Sequence, residues 1–460
     1  MKYRVICAII IMNYYAKMQI YIQKGMTEMS NWRLYTPEGT TDLLPKQCAE
    51  KSMIENSITD VFASYGYQVV ETPVMQFYDA YDTPSSKMEQ EILYKFFDKE
   101  GRIMVLRPDV TTSLARMVVT KLPDGPFPLR MQYSGKVFRY VDSYSSVQRE
   151  FCQSGIELLG VKNDMADCEV ILCAMEALLG VGLETFQIEI GQVEFFKGIM
   201  EQASLSDEEA ENVRRYIDKK DTLALDEYLK TLNLTKPIYD ILTKLPSLFG
   251  GIEILNEIDE SSLSEKSRLA LTNLRNIYKI LAECGYENYI SIDLSLVKGI
   301  NCYTGMIFKG ITHGVGFPIC SGGRYDGLST EFGADIPAVG MAIGTDRLMG
   351  VLTRQNLLES TIGSDALVFG SDSAKCFKLL TALRNEGYIA EQYLNDDKYE
   401  NAVALATKTN IQGIISITDG DNVCVHNLSD DTKNYITLDE LLSHDDECEC
   451  GCGHEHGHHH

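Results

Sequence analysis

Arg149-Glu150-Phe151-Cys152-Gln153-Ser154-Gly155-Ile156-Glu157 is the stretch on which the fold turns. Side chains alternate across a strand with period two, so Arg149, Phe151, Gln153, Gly155 and Glu157 share one face. Cys152, Ser154 and Ile156 share the other. A row of Arg, Gln and Glu interleaved with apolar residues predicts a polar pocket on a sheet face, the usual form of a small-molecule site. The competing reading is a solvated sheet face with surface ion pairs.

Working outward, Arg130–Tyr140 reads as a neighbouring strand, separated from the first by the polar loop Asp142–Gln148. Phe138-Arg139 ends that strand with a guanidinium. Tyr94–Asp98 and Ile103–Arg107 read as strands joined at Lys99-Glu100-Gly101, and Asp109 and Thr111 follow just past a strand end. Upstream, Met53, Ile54, Ile58, Val61 and Phe62 recur at helical spacing, Gly66 stops that helix, and residues 67–74 alternate like a strand. Downstream, Ile290–Leu294 and a segment through Phe308 read as strands, Gly322–Arg324 as a tight turn, and Val339–Met349 as a strand entering a helix. Short turns between strands, interrupted by helices, predict a mostly antiparallel α+β sheet. Between them, residues 196–286 change to a Glu-, Lys- and Leu-rich helical pattern (Leu263, Leu269, Leu271, Leu274, Ile277, Leu281) and read as an insertion. Beyond residue 360, strand and helix alternate as βαβαβ, which predicts a small parallel unit.

Composition narrows the function. The net charge of -24 works against nucleic-acid binding, which rests on Lys and Arg displacing counterions. Of the 13 cysteines, 10 are scattered among apolar or small residues, as in a reduced, cytoplasmic chain. Residues 1–25 carry the apolar run Val5–Met12, at the short edge for a signal peptide and without a cleavage site. It is far short of the roughly 20 apolar residues a membrane helix needs. Translation is therefore read as starting at Met26 or Met29, which leaves residues 1–30 outside the fold.

Several segments together resemble histidyl-tRNA synthetases and their paralogues. Thr36-Pro37-Glu38-Gly39-Thr40-Thr41-Asp42-Leu43-Leu44-Pro45 resembles the opening signature of that family. Gly66-Tyr67 through Thr72-Pro73-Val74 is similar to motif 1 of class II synthetases, the dimer interface, and Phe138-Arg139 through Gln153 and Glu157 to motif 2. Lys298-Gly299-Ile300-Asn301-Cys302-Tyr303-Thr304-Gly305 resembles the histidine-specific segment, and Ser321–Leu328 with Gly340–Arg347 the last core motifs. The resemblance implies an α+β fold: a class II antiparallel sheet flanked by helices over residues 31–195 and 287–355. The helical insertion at 196–286 and a small α/β domain at 360–442 complete it.

The resemblance also implies a pocket. Asp109, Thr111 and Gln153 fall where the family holds the α-amino group of histidine, and Glu157 and Tyr303 where it reads the imidazole. Tyr325, Arg139 and Lys298 join the candidate histidine-binding set. No catalytic residue is expected, because the enzymatic equipment is eroded. Lys298 stands where active enzymes have Arg, and the two are not equivalent at a bidentate contact. Arg139-Tyr140-Val141 lacks the motif 2 carboxylate, and Ser145-Ser146-Val147-Gln148 lacks the Gly-Arg pair. Arg139 and Arg347, phosphate contacts in the enzymes, remain. Residues 361–460 hold 18 acidic and 6 basic side chains, a poor surface for tRNA.

Both halves of this pattern are similar to the regulatory subunits of ATP phosphoribosyltransferase. That resemblance implies a non-enzymatic partner of a catalytic subunit in a hetero-oligomer. It would be homodimeric through the synthetase-like core, responsive to free histidine in histidine biosynthesis, and without tRNA, membrane or cofactor. The alternative is a divergent active histidyl-tRNA synthetase. A third candidate is metal storage by the tail at residues 443–460, where Cys448, Cys450, Cys452, His454 and His456 offer soft and imidazole ligands for Zn or Ni. The bland readings of that tail are a segment without a role or an appended expression tag.

Overall fold

The computed structural model describes residues 32–83, 90–140, 148–297, 302–358, 363–395, 398–417 and 422–442. The chain divides into two compact units, Met1–Glu359 and Ser360–His460.

The first unit is built on a nine-stranded sheet. In chain order its strands are β1 (Gln68–Val69), β5 (Leu129–Phe138), β6 (Glu150–Leu159), β7 (Gln187–Gln192), β8 (Phe249–Gly250), β9 (Ile290–Asp293), β10 (Met306–Ile311), β11 (Cys320–Arg324) and β12 (Ala338–Gly344). The remaining numbers, β2 (Met75–Phe77), β3 (Lys95–Phe97) and β4 (Ile103–Leu106), form a separate three-stranded sheet. The spatial order of the large sheet is β1-β5-β6-β12-β11-β10-β7-β9-β8. Its pairs are antiparallel except β1 with β5 and β7 with β9. The stretch predicted as a strand over 67–74 contributes only Gln68–Val69 to this sheet.

One face of the sheet is closed by helices α1 (Pro45–Ser64), α3 (Asp164–Gly180) and α9 (Thr345–Arg354); on the other, α2 (Thr111–Lys121) packs Leu114, Ala115 and Val118 with Met131, Tyr133, Val137 and Leu159 of β5 and β6. α1 buries Ile54, Ile58 and Phe62 at helical spacing and is followed by Gly66, whose φ of +83° only glycine adopts freely. α3 buries Val170, Ile171, Cys173, Ala174, Met175, Ala177 and Leu178, so it is enclosed on nearly all sides. The insertion is helical, as its periodicity predicts. It runs from α4 (Val193–Gln202) through α5 (Asp207–Asp218), α6 (Thr222–Leu229) and α7 (Lys236–Lys244) to α8 (Glu265–Leu281). Leu271, Leu274, Ile277 and Leu281 are buried on α8, whereas Leu269 is 62% exposed. One position of the predicted apolar stripe thus faces outward.

Gly322–Arg324 is not a turn. It forms the second half of β11, paired with β10 and β12. A Cβ at Gly322 would collide with Gly340 O and stand 2.5 Å from Met341 Cβ, so glycine is there for close strand approach. Arg324 turns to the helix layer, where Nε and Nη2 donate to Asp167 Oδ1 at 2.9 and 2.6 Å.

In the second unit, β13 (Ala366–Phe369), β14 (Ala390–Gln392) and β15 (Gly413–Ile417) are parallel and alternate with α10 (Ser373–Asn385) and α11 (Tyr399–Thr409). An antiparallel hairpin, β16 (Asn422–Asn427) and β17 (Thr432–Thr437), extends the sheet to five strands and corrects the purely parallel expectation.

Candidate amino-acid site

Strand β6 delivers Gln153 and Glu157 to one face of the large sheet and Cys152, Ser154 and Ile156 to the helix-covered face. There Ser154 Oγ lies 3.0 Å from Ser134 Oγ and 3.3 Å from Thr345 Oγ1. On the opposite face, beneath α2, a cavity of about 230 Å³ is lined by Asp109, Thr111, Arg139, Gln153, Glu157, Tyr303 and Tyr325, among others. Seven of the eight predicted pocket residues thus converge; Lys298 lies outside the described residues, as do Val141 and the tail residues Cys448, Cys450, Cys452, His454 and His456.

Glu157 is the centre of the arrangement. It is 1% exposed, and Thr111 Oγ1 donates to its Oε1 at 2.6 Å while the Tyr325 hydroxyl donates to Oε2. Burial pushes its pKa up to about 8, against the pull of these two donors. The carboxylate lies across β12, where its register partner is Gly340. A Cβ at Gly340 would overlap Glu157 Oε2, so the glycine makes the room the carboxylate occupies.

Asp109 follows β4 and precedes α2. Its Oδ1 accepts the Thr112 backbone N–H at 2.8 Å, and Oδ2 is buried with no hydrogen-bond partner among the described residues. Burial raises the pKa of this carboxyl as well. A buried orphan acceptor is costly and implies a missing donor. Gln153, four residues before Glu157 and on the same face, supplies a neutral donor and acceptor.

Arg139 leaves the end of β5, with Nε donating to Pro108 O at 2.9 Å and its guanidinium 5.4 Å from the Phe151 ring centroid. Arg347, at the start of α9, sits 5.8 Å from the same ring. Among the described residues neither guanidinium has a carboxylate in ion-pair distance. Burial lowers the pKa of both, and Arg139 lowers that of Arg347 further. Arg139 lines the cavity, and Arg347, beside the same ring though not in the lining, adds to the positive charge on that side.

Tyr133, Gly340 and Cys302 are among the lining residues that the sequence reading did not assign to the pocket. Tyr133, on β5, reaches across Gly155, where a Cβ would lie 2.5 Å from its hydroxyl. Strand alternation on β5 could have found it. Gly340 carried no signal beyond the motif it belongs to. Cys302, read as one of the scattered core cysteines, lines the cavity and is only half-buried.

A largely antiparallel class II sheet with a polar, amino-acid-sized cavity on one face defines a histidyl-tRNA synthetase-like protein. The Histidyl-tRNA synthetase family model matches residues 39–348. The ATP phosphoribosyltransferase regulatory subunit of Acetivibrio thermocellus is 41% identical over 416 residues, covering 90% of this chain and 100% of the relative. That of Ruminiclostridium cellulolyticum is 37% identical, covering 90% and 100%. The crystal structure of an ATP phosphoribosyltransferase regulatory subunit/histidyl-tRNA synthetase from Bacillus halodurans superposes with a TM-score of 0.73 at 29% identity, covering 83% of this chain and 97% of that one. Histidyl-tRNA synthetase from Nostoc sp. PCC 7120 shares the fold at a TM-score of 0.75 and 21% identity, covering 88% and 97%. The chain belongs to the ATP phosphoribosyltransferase regulatory subunit family, on a histidyl-tRNA synthetase-like scaffold.

Proposed function

We propose that this chain is a non-catalytic regulatory subunit that assembles with a catalytic ATP phosphoribosyltransferase chain and binds free histidine as the feedback signal of histidine biosynthesis. The observation that carries the reading is the pairing of Glu157, buried and bonded to Thr111 and Tyr325, with the unpartnered Asp109 Oδ2 in one cavity. An imidazole N–H or imidazolium satisfies Glu157, and an ammonium satisfies Asp109. Histidine is the amino acid that brings both. Feedback requires the ligand to bind one assembly state better than another, and it needs no chemistry at the site.

The proposed assembly is a homodimer through the motif 1 region, where Val69, Met75 and Phe77 are exposed. Location in the cytoplasm belongs to the same reading; among the described residues no helix is long and apolar enough to cross a membrane. The acidic second unit argues against a tRNA partner. The tail at 443–460 is proposed to bind Zn or Ni only adventitiously. The second reading, a divergent synthetase, is favoured by the retained Arg139 and Arg347. Equilibrium dialysis with radiolabelled histidine, alongside histidine-dependent ATP–pyrophosphate exchange, separates the two. Saturable binding without exchange is expected; exchange above the no-enzyme level would overturn the regulatory reading.

A further inference from the structure

Cys302 introduces a thiol that recognition of histidine does not use. Among the described cysteines, Cys152, Cys168, Cys173, Cys320, Cys376 and Cys424 are buried, and Cys48 and Cys284 are exposed away from the cavity lining. Cys302 alone is both half-buried and part of the cavity wall. It shares that wall with Asp109, whose buried Oδ2 lacks a partner. The thiol is close enough for the Asp109 charge and for burial to hold it protonated beyond the usual thiol range, while Lys197 opposes them. Asp109 Oδ2 on the same wall therefore favours a cationic reagent over a neutral one at this position.

We infer that Cys302 is a thiol-modification site for small disulfides bearing an ammonium group, and that the adduct and histidine exclude each other from the cavity. The inference rests on the proposed histidine site and adds a redox input to it. In the exchange the Cys302 sulfur attacks one sulfur of the disulfide and forms a new S–S bond, while the original S–S bond breaks. The Cys302 sulfur is oxidised, the departing sulfur is reduced, and the proton lost by Cys302 leaves with it as a thiol. The ammonium of the retained half meets Asp109 Oδ2, the acceptor proposed for the α-amino group of histidine. With about 230 Å³ available, an aminothiol fills the volume that histidine needs.

The test treats the full-length protein with cystamine, or with the neutral 2-hydroxyethyl disulfide, and reads occupancy of each cysteine by peptide mass spectrometry. Cystamine is expected to label Cys302 at least fivefold faster than the neutral reagent, with no such preference at Cys48 or Cys284. Histidine should slow labelling of Cys302 and leave Cys48 and Cys284 unchanged. Calorimetry should show histidine binding lost in the labelled protein and recovered after dithiothreitol, whereas C302S binds histidine equally before and after treatment. Equal rates for the two disulfides at Cys302, or histidine binding undiminished by a Cys302 adduct, would overturn the inference. Failure of the histidine reading has a different signature: untreated protein that binds no histidine while cystamine still selects Cys302.

Discussion

Replacing Glu157 with Gln changes one atom and tests the proposed recognition most sharply. The carboxylate is 1% exposed and is fed by Thr111 and Tyr325, so it is already oriented for a cation or an N–H donor. Hydrogen bonds to charged groups contribute about 1.5–3 kcal/mol. At 1.36 kcal/mol per tenfold, E157Q should weaken histidine by roughly 10- to 150-fold. The fold should survive, because the free carboxyl, with its pKa pushed up to about 8, is largely neutral at pH 7 and Gln resembles that form. The sign of the pH effect follows. Between the ordinary 4.5 and about 8 the folded chain holds a proton that the unfolded chain has released, so this group lowers stability as pH rises through that window. The full difference is on the order of 5 kcal/mol, and E157Q abolishes it. Thermal melts should show the variant gaining on the native protein from pH 5 to pH 9. Calorimetry at pH 7 reads the affinity. A histidine Kd within threefold of the native value would refute the reasoning.

Gly340→Ala should evict Glu157 from its place across β12, since the new Cβ would overlap Oε2 and lie 2.7 Å from Ile156 O. Titration should show at least a tenfold loss of histidine affinity, and denaturation a loss of about 2 kcal/mol. Tyr325→Phe removes one donor to Glu157 and should weaken histidine about fivefold, for roughly 1 kcal/mol. With that donor gone the carboxyl pKa rises, so the stability lost to its ionisation should persist to higher pH, read by melts across pH 7 to 10. Asp167→Ala leaves the buried Arg324 with only the longer contact to Asp326, and urea unfolding should register a loss of about 3 kcal/mol.

What the sequence made legible divides along physical lines. The helix Pro45–Ser64 was readable because burial of one face imposes a period that a single chain displays, and the strand Glu150–Leu159 because Arg149, Gln153 and Glu157 recur on one face although both faces are buried. The pocket members Asp109 and Thr111 stood out as polar groups at a strand end, and Glu157 as a carboxylate amid apolar neighbours. Their convergence rests on long-range pairing, which periodicity does not encode; only the resemblance joined residues 109, 157 and 303. Gly322-Gly323 misled because a glycine pair has the same sequence appearance in a turn as in a strand whose neighbours press close. The hairpin β16–β17 escaped because Thr432-Lys433-Asn434-Tyr435-Ile436-Thr437 is an edge strand, exposed at most positions and polar in composition. Cys302 was grouped with core cysteines, since the composition around a thiol says little about whether a turn places it in the core or in a cavity wall.

The central claim is that histidine acts here as a signal and not as a substrate. The most direct measurement mixes this chain with a catalytic ATP phosphoribosyltransferase chain that lacks a regulatory domain and follows phosphoribosyl transfer while histidine is titrated. Activity should depend on this chain and fall as histidine rises, and E157Q should preserve the activity while shifting the inhibition curve to at least tenfold higher histidine. Activity indifferent to this chain, or inhibition equally strong with E157Q, would contradict the account.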